Sequence, residues 1–370
     1  MQGVNERSAL GNRILHLSSQ HGISDFYITP WEQLMFRKNG ELNLDSFVYQ
    51  PENELEIQPG CLDYAMMIGP LRFRVNKMVT RGRLRWVLRL LPTETPTPEQ
   101  ILLPPAAMKS FLEAENGLFL VCGATGSGKS TTLNAMLREL NRPEDNILTL
   151  ENPVEDEIAG VIHCDLKNSS EFKPMITSFM RSDPDIILMG EVRDIDSAEL
   201  AIEAAITGHK VLTTIHCPRA SQIIERFEQV GIERWKIAQT LKAACAQRLI
   251  KILCPSCKVQ KDGVEERERL MYNLSDDWAD RPFFARSVDG CGNCNHRGYS
   301  GRSAILEIIP ITPKWSDALA KGEMSPYELE LEVRKAGVLP NLRDSGLRMV
   351  REGKTDFEAI RKMIDLTNTD

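Results

Sequence analysis

The run Leu118-Phe119-Leu120-Val121-Cys122-Gly123-Ala124-Thr125-Gly126-Ser127-Gly128-Lys129-Ser130-Thr131 decides the fold class. Residues 118–122 are all apolar, as expected of a strand covered on both faces. Residues 123–130 satisfy G-x-x-x-x-G-K-S in full, and residues 130–140 read as a helix. Strand, Gly-rich loop and helix in that order form the context in which this motif binds phosphate. The glycines let backbone N–H groups turn toward phosphate oxygens, and the helix N-terminus adds partial positive charge. Lys129 then reaches the β- and γ-phosphates, and the Ser130 hydroxyl ligates Mg²⁺. The nucleotide-contacting set is Gly123, Ala124, Thr125, Gly126, Ser127, Gly128, Lys129, Ser130 and Thr131.

Downstream, residues 147–150, 186–189 and 211–215 read as further strands, with a small-residue helix over 197–207. Such alternation predicts an α/β fold with a mostly parallel sheet. Ile237, Leu241, Ala244 and Leu249 recur at helical spacing, which predicts a helix over 235–248. Two more helices are expected beyond Ser316. Upstream, Pro92, Pro96, Pro98, Pro104 and Pro105 mark a linker over 92–105. Before it, residues 6–19 suggest a helix. Residues 26–28, 34–37, 71–75 and 86–90 suggest strands, with a turn at Lys38-Asn39-Gly40. A small α+β domain over residues 1–91 fits, followed by a larger domain over 106–370.

The chain has 370 residues, 42% of them hydrophobic and 26% charged, with a formal net charge of −7. This is ordinary globular composition and excludes disordered, collagenous and simple coiled-coil chains. The acidic balance and the lack of a basic stripe argue against direct nucleic-acid binding. No apolar run reaches the ~18 residues of a membrane span, and the N-terminus lacks signal-peptide character. The expectation is a cytoplasmic protein whose membrane contact comes through a partner.

Hydrolysis needs acids beside the phosphate loop. Glu191 ends the apolar run 186–189 and is a candidate for the metal side. Glu151 and Glu155 follow the strand at 147–150, and spacing alone does not choose between them. His209 and His216 flank the strand at 211–215; their odd separation would face them oppositely on a regular strand.

Phosphate loop, Glu151-Asn152-Pro153-Val154-Glu155, Asp183-Pro184-Asp185, Gly190-Glu191-Val192-Arg193-Asp194 and Thr207-Gly208-His209 with His216 occur in a set order. Together with Ile23-Ser24-Asp25, Arg72-Phe73-Arg74-Val75-Asn76, Ala246-Gln247-Arg248-Leu249 and Gly298-Tyr299-Ser300-Gly301-Arg302, the chain resembles the type II secretion and type IV pilus ATPase superfamily. The resemblance implies a RecA-like P-loop ATPase core joined to a PAS-like N-terminal domain and assembled as a homo-hexamer. It implies ATP and Mg²⁺, with Lys129 and Ser130 as the Walker A pair, Glu155 as catalytic base and Glu191 as Walker B acid. His209 and His216 match the histidine box, and Arg74 and Arg89 match arginines that approach the nucleotide. Asn152, Tyr27 and Cys217-Pro218 depart from the family pattern.

Of nine cysteines, four form the pairs Cys254-x-x-Cys257 and Cys291-x-x-Cys294, with 33 residues between the pairs. Paired C-x-x-C motifs in a reducing compartment read as structural Zn²⁺ before disulfides. His296 is a weaker alternative ligand. The zinc element spans 254–302, with C-terminal helices over 313–366. By resemblance the tetracysteine element marks assembly or secretion members, whose partner is an inner-membrane platform protein. Pilus retraction is the alternative, with DNA translocation and a silent scaffold behind it.

Overall fold

The computed structural model describes residues 8–20, 22–38, 41–50, 63–91, 94–166, 168–337 and 341–361. The expected Asn39-Gly40 turn, Pro92, Cys61, the first residues of the 6–19 helix and residues 362–366 lie outside them. Internal contacts divide the chain into two units: Met1–Thr95 with Ile147–Phe179, and Pro96–Asn146 with Met180–Asp370.

In chain order the elements begin with α1 (Ala9–Ser18), β1 (Ile23–Ile28), β2 (Gln33–Lys38), β3 (Glu41–Val48), β4 (Asp63–Ile68), β5 (Leu71–Thr80) and β6 (Arg83–Leu90). Next come α2 (Pro105–Glu113), β7 (Gly117–Cys122), α3 (Lys129–Leu140), β8 (Ile147–Glu151), β9 (Ile162–Asp165), α4 (Phe172–Phe179) and β10 (Ile186–Met189). Then follow α5 (Ile195–Ile206), β11 (Lys210–Ile215), α6 (Gln222–Gln229), α7 (Arg234–Thr240), β12 (Leu241–Leu253), β13 (Val259–Lys261) and α8 (Glu266–Met271). The last are β14 (Phe283–Ala285), β15 (Tyr299–Pro310), α9 (Pro313–Ala320), α10 (Pro326–Ala336), α11 (Leu342–Arg351) and α12 (Phe357–Arg361).

The first unit contains an antiparallel sheet in the order β3-β2-β1-β6-β5-β4. The Ser8 hydroxyl caps α1 by accepting from the Gly11 N–H, and Leu10, Ile14 and Leu17 recur on one helical face. They join Phe26, Ile28, Phe73, Val75 and Leu88 in one core. Strands β3 and β4 were not anticipated. The first four residues of β3 are exposed, so it presents no apolar face to read. The alternating burial of β4 rests on Tyr64, Met66 and Ile68, and Met carries a weak strand signal. Within the same unit, β8 and β9 form a parallel pair.

In the second unit the strands run β15-β12-β7-β11-β10. β10, β11, β7 and β12 are parallel, and β15 is an antiparallel edge. The expected helix over 235–248 is corrected here: α7 stops at Thr240, and Leu241–Leu253 is the longest strand. It is covered on both faces, so its apolar residues run on without a two-residue alternation, and a stretch of that kind mimics helical spacing. Beyond Ser316 the described residues hold three helices, α10, α11 and α12, rather than two. A second core joins Tyr272 and Trp278 to Met349, Val350 and Phe357. Among the described residues no helix is long and apolar enough to cross a membrane.

Candidate functional site

Because β7, β11 and β10 are parallel, their carboxyl ends share one edge of the sheet, the edge where α/β folds place ligands. The phosphate loop leaves β7 there, Glu191 follows β10 there and His216 follows β11 there. His209 lies before β11, at the opposite edge, about 20 Å of strand away. Its Nδ1 lies 3.0 Å from the Ala204 carbonyl oxygen at the end of α5. The sheet thus brings His216, and not His209, to the loop.

Gly123, Gly126 and Gly128 all have positive φ, and Gly128 is the N-cap of α3. A Cβ on Gly123 would stand 2.5 Å from the Gln247 carbonyl oxygen, so only glycine fits. Lys129 Nζ donates to the carbonyls of Gly123 and Ala124 at 3.0 and 3.2 Å. Burial lowers the Lys129 pKa, against the opposing field of Glu191. His216 Nε2 meets Glu191 Oε1 at 2.8 Å, and its Nδ1 meets the Gly123 carbonyl at 3.1 Å. Both ring nitrogens face oxygen atoms, one on the Glu191 carboxylate and one on the loop backbone. Arg193 also donates to Glu191, at 2.7 Å.

In the sequence Gln247 stands out only as part of Ala246-Gln247-Arg248-Leu249. Its buried side chain donates to the Ser127 carbonyl at 2.8 Å, bracing the loop from β12 across 120 residues. No local signal reports a contact of that span.

In the first unit Glu151 and Glu155 have different surroundings. Glu151 is buried, accepts from the Thr149 hydroxyl at 2.9 Å and faces His163. Glu155 is more exposed and takes Arg74 Nη1 at 2.8 Å. Arg74 also binds Asp63 with two nitrogens, and these bonds raise its already high pKa, Asp63 first. Arg72 donates to the Val154 carbonyl at 3.0 Å and pairs with the Glu157 carboxylate, so β5 holds the segment on both sides of Glu155. Arg89 pairs with Asp25 instead, at 2.9 Å, and its side chain is largely exposed.

The four cysteines converge. Their sulfurs all lie within 4.8 Å of one another, and among the described residues no other such group of His, Cys, Asp or Glu occurs. Cys254–Cys291 and Cys257–Cys294 sulfur separations are both 3.8 Å. Four thiolates at about 2.3 Å around a tetrahedral ion would be about 3.8 Å apart, so the geometry fits zinc. Backbone N–H groups of Cys291 and Gly298 donate to the Cys294 sulfur at 3.2 Å each. His296 turns its Nδ1 to the Asp289 carbonyl and is not part of the cluster.

The profile of the type II/IV secretion system protein family matches residues 58–362. The chain belongs to that family. It is 34% identical over 297 residues to the type II secretion system ATPase E of Vibrio cholerae serotype O1, covering 78% of this chain and 58% of that protein. It is 37% identical over 297 residues to the type IV pilus assembly ATPase PilB of Myxococcus xanthus, covering 78% and 52%. The chain thus spans little more than half the length of these two relatives. Its fold matches a solved structure of the pilus retraction motor PilT with bound ADP at a TM-score of 0.72. That likeness, at 21% identity over 95% of this chain and 96% of PilT, concerns the fold alone.

Proposed function

We propose that this chain is the ATP-hydrolysing part of a hexameric motor that powers type IV pilus assembly or type II secretion at the inner membrane. The observation that carries the reading is the shared sheet edge, where Lys129, Glu191 and His216 converge on one phosphate loop. Membership of the family and the printed names of its relatives support the choice of machine. The main-chain amides of residues 123–131 cradle the phosphates, and Lys129 offsets charge that develops on the γ-phosphoryl group. Ser130 and Glu191 would hold Mg²⁺, which supplies electrostatic stabilisation of that charge. Glu155 takes a proton from water as the water oxygen attacks the γ-phosphorus and the bridging oxygen leaves with ADP. His216 reports the state of the loop through Glu191. His209 acts from the far edge, as a contact to a neighbouring subunit. Arg74 and Arg89 bring cations to the nucleotide.

The same reading assigns a PAS-like domain to residues 1–91, a linker to 92–105 and a RecA-like domain to 106–370. Zn²⁺ would be held by Cys254, Cys257, Cys291 and Cys294, closing the 254–302 element; four thiolates leave no position for catalysis. The partner is an inner-membrane platform protein, with the motor peripheral at the cytoplasmic face. The tetracysteine cluster favours assembly or secretion over retraction.

The test is Mg-ATP turnover by the purified chain with metal analysis of the same sample. Turnover together with about one zinc per chain is expected; Cys257→Ser should lose the metal and lower the melting temperature. No turnover in a folded hexamer removes the motor reading, and protein free of zinc without chelators removes the metal reading.

A further inference from the structure

Glu155 sits in the loop between β8 and β9, and a loop of this kind has few internal bonds of its own. Two of its residues, one on each side of Glu155, are nevertheless anchored to β9. The Val154 N–H donates to Asp165 Oδ1 at 2.8 Å, and the Ile158 N–H donates to His163 Nε2 at 3.0 Å. Strand register puts His163 beside Thr149 and Asp165 beside Glu151.

The second anchor fixes the protonation of the ring. A backbone N–H can only donate, so His163 Nε2 must offer its lone pair and the ring proton resides on Nδ1. Nδ1 lies 2.9 Å from the Thr149 hydroxyl and 3.3 Å from Glu151 Oε1. The Thr149 hydroxyl in turn donates to Glu151 Oε1 at 2.9 Å. Every bond then runs in one direction, from Ile158 N–H through His163 and Thr149 to the Glu151 carboxylate. Glu151 and His163 are both nearly buried at this point, with side chains 7% and 9% exposed. A buried relay with all members satisfied is rigid.

We propose that His163 is a positioning residue for Glu155: the Glu151–Thr149–His163 relay holds the loop that presents the base. Arg74 grips the Glu155 carboxylate from β5, while the relay grips the backbone three residues further on. Glu151 then acts through the imidazole rather than on water, which gives the second acid of this segment a purpose. The proposal rests on the reading of Glu155 as the base.

The experiment compares the parent chain with His163→Leu, His163→Gln, Thr149→Val and Glu155→Gln. It measures Mg-ATP turnover, ATP affinity and amide exchange of the peptide spanning 152–158. Leucine removes both bonds, whereas glutamine keeps an acceptor oxygen and a donor nitrogen. His163→Leu should lower kcat by up to ~10²-fold, the cost of displacing a reacting group by about 1 Å. Exchange at Ile158 should quicken by roughly 3- to 10-fold, as for one lost hydrogen bond, with ATP affinity within twofold of the parent. Thr149→Val should follow in the same direction, and His163→Gln should restore most of both readouts. Parental turnover and parental exchange in His163→Leu overturn the relay, as does a glutamine variant as impaired as the leucine one. Parental turnover in Glu155→Gln removes the base reading alone, because the exchange measurement still reports whether His163 holds the loop.

Discussion

Glu155 and Glu191 are two carboxylates with cationic neighbours, one in each unit, and they are held in opposite ways. Glu155 is gripped by Arg74, a guanidinium that also binds Asp63 and keeps its charge at any accessible pH. Glu191 is gripped by the His216 ring and by an Arg193 that is mostly exposed, next to a Lys129 whose charge burial has made easier to lose. The first arrangement is a clamp between a strand of the N-terminal sheet and a loop 81 residues later. The second is assembled from neighbouring strand ends along one edge of a parallel sheet. In the proposed function, the group that acts on water gains from a set position, whereas groups that receive a polyphosphate gain from cations that the ligand itself can draw out.

The sharpest way to break this comparison is Glu155→Gln, which should bind ATP yet hydrolyse it about 10²–10⁴-fold more slowly. A similar loss in Glu191→Gln with normal Glu155→Gln turnover, by single-turnover kinetics, would reverse the two roles. Next in size, Lys129→Ala should cost on the order of 10²–10³-fold in turnover while circular dichroism shows an intact fold. Retained turnover would take the phosphate loop out of the site. Arg74→Ala should lower turnover about 10- to 100-fold, as for a lost charged hydrogen bond, without changing ATP affinity. Arg89→Ala, which removes a side chain paired with Asp25 rather than with Glu155, should lower turnover less than Arg74→Ala does. Equal losses in both variants would mean that the clamp on Glu155 is not what Arg74 contributes.

The smallest effect separates the two kinds of cation. Burial depresses the Lys129 pKa, so the free protein gives up that proton at a lower pH than an ordinary lysine does. ATP phosphates favour the protonated form, so binding takes up a proton in the window below the ordinary value of ~10.4. ATP affinity should therefore fall as pH rises from 8 toward 10, by no more than about tenfold per unit for one proton. Titration calorimetry of Lys129→Arg should give a flatter curve, because arginine stays charged. A parent curve as flat as the variant's would show that burial leaves the lysine charge untouched.

Legibility in the sequence followed the range of the interaction. The β7–loop–α3 unit could be read from residues 118–140 because strand, turn glycines and helix are each local signals. The paired cysteines were legible for the same reason, although only folding brings Cys254 within 3.8 Å of Cys291. Strand β12 is covered on both faces, carries neither period cleanly and so mimics helical spacing. Gln247 under the phosphate loop, the grip of Arg72 on Val154 and the hydrogen bonds through His163 leave no local trace in the sequence.

Sequence alone determined the chemistry on offer: a phosphate loop, two acidic segments, two histidines and four thiols, each named by its own short motif. Tertiary structure decided which of them meet. Parallel strand order carried His216 to Glu191 and left His209 at the other edge, and packing of β5 gave Glu155 its arginine. Burial then made Glu151 a support for His163 while leaving Glu155 accessible. The physical reason is that a motif records the backbone conformation of its own few residues. Hydrogen-bond partners and burial belong to surfaces made by segments tens of residues apart, and no local pattern encodes them.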